Sequence, residues 1–216
     1  MYIAIEGVIG VGKTTLARLL QPSFKAALLL EVFEENPFLS DFYADRERYA
    51  FQTQIFFLLS RYHQQRKAVG ELLAEKESLL SDYTFEKDAL FAGINLAGDE
   101  LEMYYRVHDA LAEKIIKPNL ILYLRASTEK LMQRIALRDR PYERNMDGDY
   151  IHQLNIAYDA FFSDYHQGTV VLPIDTDNLD YVHDSQALKF VENRIRQALR
   201  LPPFQQELPL RSEVEA

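Results

Sequence analysis

The feature that most constrains this chain is an unbroken G-x-x-x-x-G-K-[ST] run, Gly7-Val8-Ile9-Gly10-Val11-Gly12-Lys13-Thr14. It follows the short apolar run Tyr2-Ile3-Ala4-Ile5 and opens Thr14 to Leu20, where apolar residues recur at helical spacing. The order is therefore strand, loop, helix. Glycines let such a loop turn its backbone N–H groups inward around phosphate oxygens, while the helix N-terminus adds the positive end of its dipole. Lys13 then reaches the outer phosphates, Thr14 offers a hydroxyl to Mg²⁺, and Thr15 completes the phosphate-binding set. ATP and Mg²⁺ are the ligands expected here, against the plainer alternative of ordinary turn glycines.

Four more apolar runs follow, each ending on a charged residue. They are Ala26 to Leu30 before Glu31, Ser78 to Ser81 before Asp82, Leu120 to Leu124 before Arg125, and Val170 to Ile174 before Asp175. Between the runs, helical segments cover Asp45 to Leu73, Phe85 to Ala97, Glu100 to Ile116, Thr128 to Leu137, Tyr150 to Tyr165 and Ser185 to Leu199. Strands alternating with helices predict an α/β fold of P-loop NTPase type, a five-stranded parallel sheet flanked by helices. In such sheets ligands sit beyond the carboxyl ends of the strands. Gly7, Glu31, Asp82 and Arg125 are expected to gather there, with Glu31 ending a strand beside that of the phosphate loop. A chain of 216 residues with 48% hydrophobic content has room for one sizeable core. A single domain is expected over residues 1–200, with a lid at about 138–148 and a loose tail at 201–216.

The net charge of -9 argues against a nucleic-acid polymer as partner, because phosphate backbones reward a basic surface. Cations nonetheless crowd one stretch, Arg125, Lys130, Arg134, Arg138, Arg140 and Arg144, which suits a small anion. The absence of cysteine excludes disulfides and thiolate chemistry and fits a reducing compartment. No apolar run nears the roughly 20 residues of a membrane helix, so a cytoplasmic setting without membrane contact is expected. The five histidines lack metal-ligand spacing and read as helix-surface or capping residues. The run from Asp175 to Asp180 starts like a calcium loop but places Leu179 at its fifth position, so it reads as a turn.

A guanine-reading N-K-x-D segment is absent, which leaves small-molecule kinases favoured among phosphate-loop proteins. Glu31-Val32-Phe33-Glu34-Glu35-Asn36-Pro37-Phe38 resembles the E-P-V-x-E-N-P stretch of the deoxynucleoside kinases, close to the bacterial deoxyadenosine and deoxyguanosine kinases. The likeness covers Met1 to about Tyr165. It implies that Glu31 is the general base for a 5′-hydroxyl, that Tyr43 contacts the sugar 3′-hydroxyl, and that Gln54 makes paired hydrogen bonds to the base. Arg61 and Asp88 match base-reading positions, and the acid favours a purine or deoxycytidine over thymidine. Arg134-x-x-x-Arg138-x-Arg140-x-x-Glu143 resembles the arginine-rich lid and the glutamate that caps the 3′-hydroxyl. Relatives pair through their helices, which implies a homodimer. One position departs from the pattern. Many members carry D/E-R-S after the third strand, with its arginine near the transferred phosphate, whereas this chain has Asp82-Tyr83-Thr84. Tyrosine cannot supply a fixed positive charge. A lid arginine or Arg144 takes that role, or the subgroup manages without it.

The residue types also carry the chemistry independently. Phosphoryl transfer is mainly positioning and charge stabilisation, with a carboxylate accepting or orienting the nucleophile's proton. Glu31 suits that role; the alternative is a strand-end acid paired with a lysine. Lys13, Arg138 and Arg140 would stabilise the moving charge, with Arg134 and Arg138 on the phosphates, unless these arginines are exposed helix-end charges. Pro141 just after them favours a mobile loop that excludes water on closing. Gln54 lies beside the apolar stretch Ile55 to Leu59, and a buried amide must find partners. Arg61 falls on the same face about two turns on, its alternative being an ion pair with a helix neighbour. Asp88 otherwise caps or meets a lysine, Tyr43 is otherwise a core aromatic, and Glu143 otherwise pairs with Arg140. Asp82 holds Mg²⁺ through water, or caps the following helix. The favoured reading is ATP-dependent phosphorylation of a deoxynucleoside 5′-hydroxyl, a purine first. A nucleoside monophosphate kinase is disfavoured by the acidic Glu31-to-Glu35 stretch, and a regulatory module without turnover by the presence of both Glu31 and Lys13.

Overall fold

The computed structural model describes residues 1–32, 35–165 and 168–203. Its sheet is built around β1 (Tyr2–Glu6), which is buried along its whole length. β1 pairs in parallel with β3 (Leu79–Ser81) on one side and β4 (Leu120–Arg125) on the other. β2 (Ala27–Leu29) adds to β3 and β5 (Val170–Asp175) adds to β4, both in parallel, giving the order β2-β3-β1-β4-β5. A strand buried on both faces can be apolar at successive positions, which is why β1 and β4 read as continuous runs rather than alternations.

This order corrects one expectation. The strand carrying Glu31 does not lie beside the phosphate-loop strand, because β3 intervenes. Sequence pattern identifies strands but not their neighbours, and a crossover that skips one position leaves no local mark.

The flanking helices are α1 (Lys13–Phe24), α2 (Leu39–Ala44), α3 (Arg46–Lys76), α4 (Lys87–Asn95), α5 (Gly98–Ala112), α6 (Thr128–Arg138), α7 (Gly148–Ser163) and α8 (Ser185–Ala198). Asp45, Ser127, Asp147 and Asp184 cap α3, α6, α7 and α8, each accepting a backbone N–H of the first turn. Such caps satisfy donors that a helix cannot satisfy itself. The periodicity missed α2, whose six residues are too few to show a period, and the 3-10 turn Pro141–Glu143 inside the expected lid. α4 starts at Lys87 rather than at Phe85, whose ring is buried in the core instead. His108 is another correction: it is not a surface or capping residue but stacks on Phe85 at 4.9 Å, with its ring buried. The tail expected to be loose lies outside the described residues from 204 onward, as do Phe33 and Glu34 of the acidic stretch. Among the described residues no helix is long and apolar enough to cross a membrane.

Candidate active site

β1 delivers the chain into the phosphate loop, and the loop's shape explains its glycines. Gly10 has φ 88°, and a Cβ there would stand 2.8 Å from Ile135 Cγ1 and 3.0 Å from the Leu131 carbonyl. Gly12 has φ 103°, with a Cβ blocked at 2.5 Å by the Tyr181 hydroxyl. Left-handed backbone of this kind strains any residue with a side chain. Lys13 folds back over the loop, its Nζ donating to the Gly7 and Val8 carbonyls at 2.6 and 3.3 Å. Burial, and then the nearby Lys87 charge, push the Lys13 ammonium down to about 8. Its charged form is disfavoured mainly by burial, against which Glu6, Glu31 and Asp82 act, so phosphate oxygens brought beside it would favour the charge further.

A carboxylate joins this loop to the strand that β3 separates from it. The Thr14 hydroxyl donates to Asp82 Oδ2 at 2.5 Å, and the Glu31 backbone N–H donates to Asp82 Oδ1 at 2.7 Å. Asp82, at the end of β3, thus spans the gap between β1 and β2. The Thr14 hydroxyl and the Asp82 carboxylate are hard oxygen donors facing one cavity, which fits Mg²⁺. Among the described residues no three histidine or acidic side chains converge as a metal cage. That sparse set suits a cation whose shell is completed by substrate phosphates.

Glu31 faces the same cavity, held on both sides. Arg61 donates to Glu31 Oε1 through Nε at 2.9 Å and through Nη2, while Lys87 Nζ donates to Oε2 at 2.7 Å. Burial disfavours the charge on Glu31, but Arg61 and then Lys87 outweigh it and hold the carboxyl well below the usual carboxylate range. Of the two alternatives for this acid, pairing with a lysine and facing the cavity, the structure contains both. Arg61 also pairs through Nη1 with Asp88 Oδ1 and lies over the Phe57 ring at 4.6 Å. Its partners come from β2's end and from α4, not from its own helix.

The cavity has a volume of about 120 Å³ and opens to solvent on one side. Gln54 and Tyr43 line it, as does Thr53, whose buried hydroxyl has no hydrogen-bond partner. Asp88 does not line it: the side chain is fully buried behind Arg61, its Oδ2 lacking a hydrogen-bond partner. Burial pushes the Asp88 carboxyl up to about 6 despite Arg61.

Over the opposite side stand the lid residues. Arg138 donates to Glu143 Oε2 through Nε at 3.1 Å and through Nη2 at 2.5 Å, and Arg140 Nη1 lies 3.6 Å from Glu143 Oε1. Both arginines and Glu143 line the cavity, and Tyr142 stacks on Tyr43 at 6.2 Å. The other cations of that stretch diverge. Arg134 is spent on the Thr176 hydroxyl and carbonyl at 2.9 and 2.7 Å and on the Val11 carbonyl at 3.3 Å. It braces the phosphate loop along a second cleft, which Thr15 and Lys130 also line. Arg125 pairs with Asp159 at 2.8 Å, and Arg144 pairs with Asp139 at 2.7 Å on the exposed surface away from the cavity.

Sequence reasoning missed two charged residues. Glu6, fully buried at the end of β1, accepts from the Gly7 and Thr84 backbone N–H groups at 3.2 and 2.5 Å and from the Thr84 hydroxyl at 3.0 Å. Burial pushes its carboxyl upward. A charged residue closing an otherwise apolar central strand was the available signal. Lys87 had none, since a lone lysine at a helix start looks like surface.

Comparison with known proteins agrees with this geometry. A family model described as deoxynucleoside kinase matches residues 3–200. The chain is 32% identical over 201 residues to the deoxyguanosine kinase of Bacillus subtilis, covering 92% of this chain and 97% of that one. It is 34% identical over 168 residues to the deoxyadenosine kinase of Dictyostelium discoideum, covering 76% and 67%. In fold it is similar to the deoxyadenosine kinase of M. mycoides, with a TM-score of 0.79 at 24% identity, covering 91% and 100% of the two chains. A P-loop sheet carrying an acid and a lysine on one cavity, matched along nearly its whole length, places the chain in the deoxynucleoside kinase family.

Proposed function

We infer that this deoxynucleoside kinase transfers the terminal phosphate of ATP to the 5′-hydroxyl of a purine deoxynucleoside, with Glu31 as the base. The observation that carries the reading is that Glu31 and Lys13 line one cavity with Thr14 and Asp82. Glu31 enters as a carboxylate, ready to orient the hydroxyl and to receive its proton as the oxygen attacks phosphorus. Lys13 exchanges its loop carbonyls for phosphate oxygens. Thr14 and Asp82 would hold Mg²⁺, which would supply charge neutralisation on the phosphates. Arg138 and Arg140 approach from the lid side, where closure excludes water.

The purine preference rests on the inner wall. Gln54 offers one donor and one acceptor to a base edge, and Arg61, which the buried Asp88 holds through Nη1, lines the same cavity. Adenine and guanine each present a donor and an acceptor that such an amide can pair with, as cytosine does. Tyr43 and Glu143 line the same cavity and are assigned to the sugar 3′-hydroxyl, with burial keeping the Tyr43 phenol protonated as a donor. The relatives named deoxyguanosine and deoxyadenosine kinase support a purine. A homodimer through the helices is part of the same reading, since α5 leaves Met103 and Tyr105 exposed. Light scattering on the purified chain reads the dimer directly.

The decisive assay offers the four deoxynucleosides together with ATP and Mg²⁺ and reads the monophosphate products by mass. A purine deoxynucleoside monophosphate should dominate. A pyrimidine product in excess overturns the preference, and consumption of ATP only with monophosphates overturns the acceptor.

A further inference from the structure

Close to Tyr83, where the family pattern has an arginine, a buried lysine reaches Glu31. Lys87 is the first residue of α4 and is 3% exposed. A helix N-terminus repels positive charge, and burial adds the cost of desolvating an ammonium. A lysine there is at the wrong end of its helix unless anions hold it. Glu31 does, at 2.7 Å, and the buried Glu6 also feels its field. Tyr83 itself supplies the third support: Lys87 Nζ lies 5.6 Å from the centre of its ring. That distance is within cation–π range. The ring is fixed in turn by its hydroxyl, which donates to Gln64 Oε1 at 2.6 Å. Tyr83 is thus the platform for a lysine four residues on.

The two cations on Glu31 are not equivalent. Arg61 takes Oε1 and divides itself between Glu31 and Asp88, while Lys87 takes Oε2. Arg61 anchors one oxygen of the carboxylate through two donors, and the Lys87 contact to the other oxygen completes the fixing of its plane. Both cations also line the cavity, so the fixing is done at the cavity wall.

We propose that Lys87 is a positioning residue for the reaction: seated on Tyr83, it clamps the second oxygen of Glu31 and so sets the carboxylate's orientation toward the acceptor hydroxyl. The proposal rests on the assignment of Glu31 as base, and a double-mutant cycle separates the two. Lys87→Met keeps the length and removes the charge. It should lower kcat about 10- to 100-fold, a coupling typical of residues in direct contact, with ATP affinity held within about twofold. In a Glu31→Gln background the same change should cost less than about threefold, because its target is already disabled. Lys87→Arg should recover at least half of the lost kcat on a logarithmic scale.

Wild-type kcat in Lys87→Met, or losses that multiply in the double variant, would overturn the proposal. Full turnover in Glu31→Gln alone would instead overturn the base assignment. If Lys87→Met does not fold by circular dichroism, Lys87→Gln and Lys87→Arg decide in its place: turnover equal in the two rejects a role for the charge, and tenfold or more in favour of arginine supports it.

Discussion

The two sides of this cavity are built by opposite means. The phosphate side is backbone: consecutive residues, Gly7 to Thr14, shaped by left-handed glycines and needing almost no side chain beyond Lys13 and Thr14. The acceptor side is a relay of side-chain charges, with Glu31, Arg61, Asp82, Lys87 and Asp88 arriving from four separate parts of the chain. A backbone cradle is specified wherever its short motif folds. A charge relay exists only once the whole sheet has formed, and removing one member leaves another buried and unpaired. Chemistry is expected to be lost sharply on the acceptor side, and structure or donor binding on the phosphate side.

The largest test of that contrast is Glu31→Gln. It should cut kcat by about 10² to 10⁴, the range of one acid–base group, while leaving ATP affinity nearly unchanged in a binding titration. Full turnover would take Glu31 out of the mechanism. Next comes Asp88→Ala, which should lower the ratio of kcat/KM for purine over pyrimidine deoxynucleosides by about 10- to 100-fold, because Arg61 on the cavity wall then loses the charged hydrogen bond that holds it. The same ratio should decline in the wild type as pH falls through about 6, because the raised Asp88 carboxyl takes up its proton there. In Asp88→Ala that pH dependence should vanish; an identical profile in both forms would remove Asp88 from base reading.

On the phosphate side, Gly10→Ala forces a side chain into φ 88° against Ile135. Strain of this sort costs about 1–3 kcal/mol, and at about 2–4 °C per kcal/mol it should lower Tm by several degrees. A thermal scan without change would show that the loop relaxes freely. The smallest effect belongs to Arg144→Ala. Its pair with Asp139 is on the surface, the arginine side chain 60% exposed. Such pairs contribute about 0–1 kcal/mol, so kcat should stay within about twofold and Tm within a degree or two. A large loss of turnover would mean that this arginine swings into the site on closure.

The same contrast explains what could be read before any coordinates. The phosphate loop is a local motif, and its strand–loop–helix context was legible from apolar runs and glycines alone. Gln54 and Arg61 were named through the family resemblance, to which helical spacing added that they share one face, and both line the cavity. What stayed hidden was relational. The insertion of β3 between β1 and β2, and Asp82's role as the bridge across it, depend on strand order, which no window of sequence contains. Lys87 stayed hidden because its importance lies in what it touches rather than in its neighbours along the chain. Asp88 was named as a base reader, yet its place behind Arg61 could not be seen from helical spacing.

Asp82 carries a last consequence. One of its oxygens receives the Thr14 hydroxyl and the other receives the Glu31 amide, so a single rigid group is anchored in the donor half and the acceptor half at once. A reorientation of Thr14 on nucleotide loading would be passed through Asp82 to the main chain that carries Glu31. The two substrates of this enzyme therefore do not bind as strangers: the nucleoside's dissociation constant should depend on whether the nucleotide has already arrived, and by linkage the reverse must hold by the same factor.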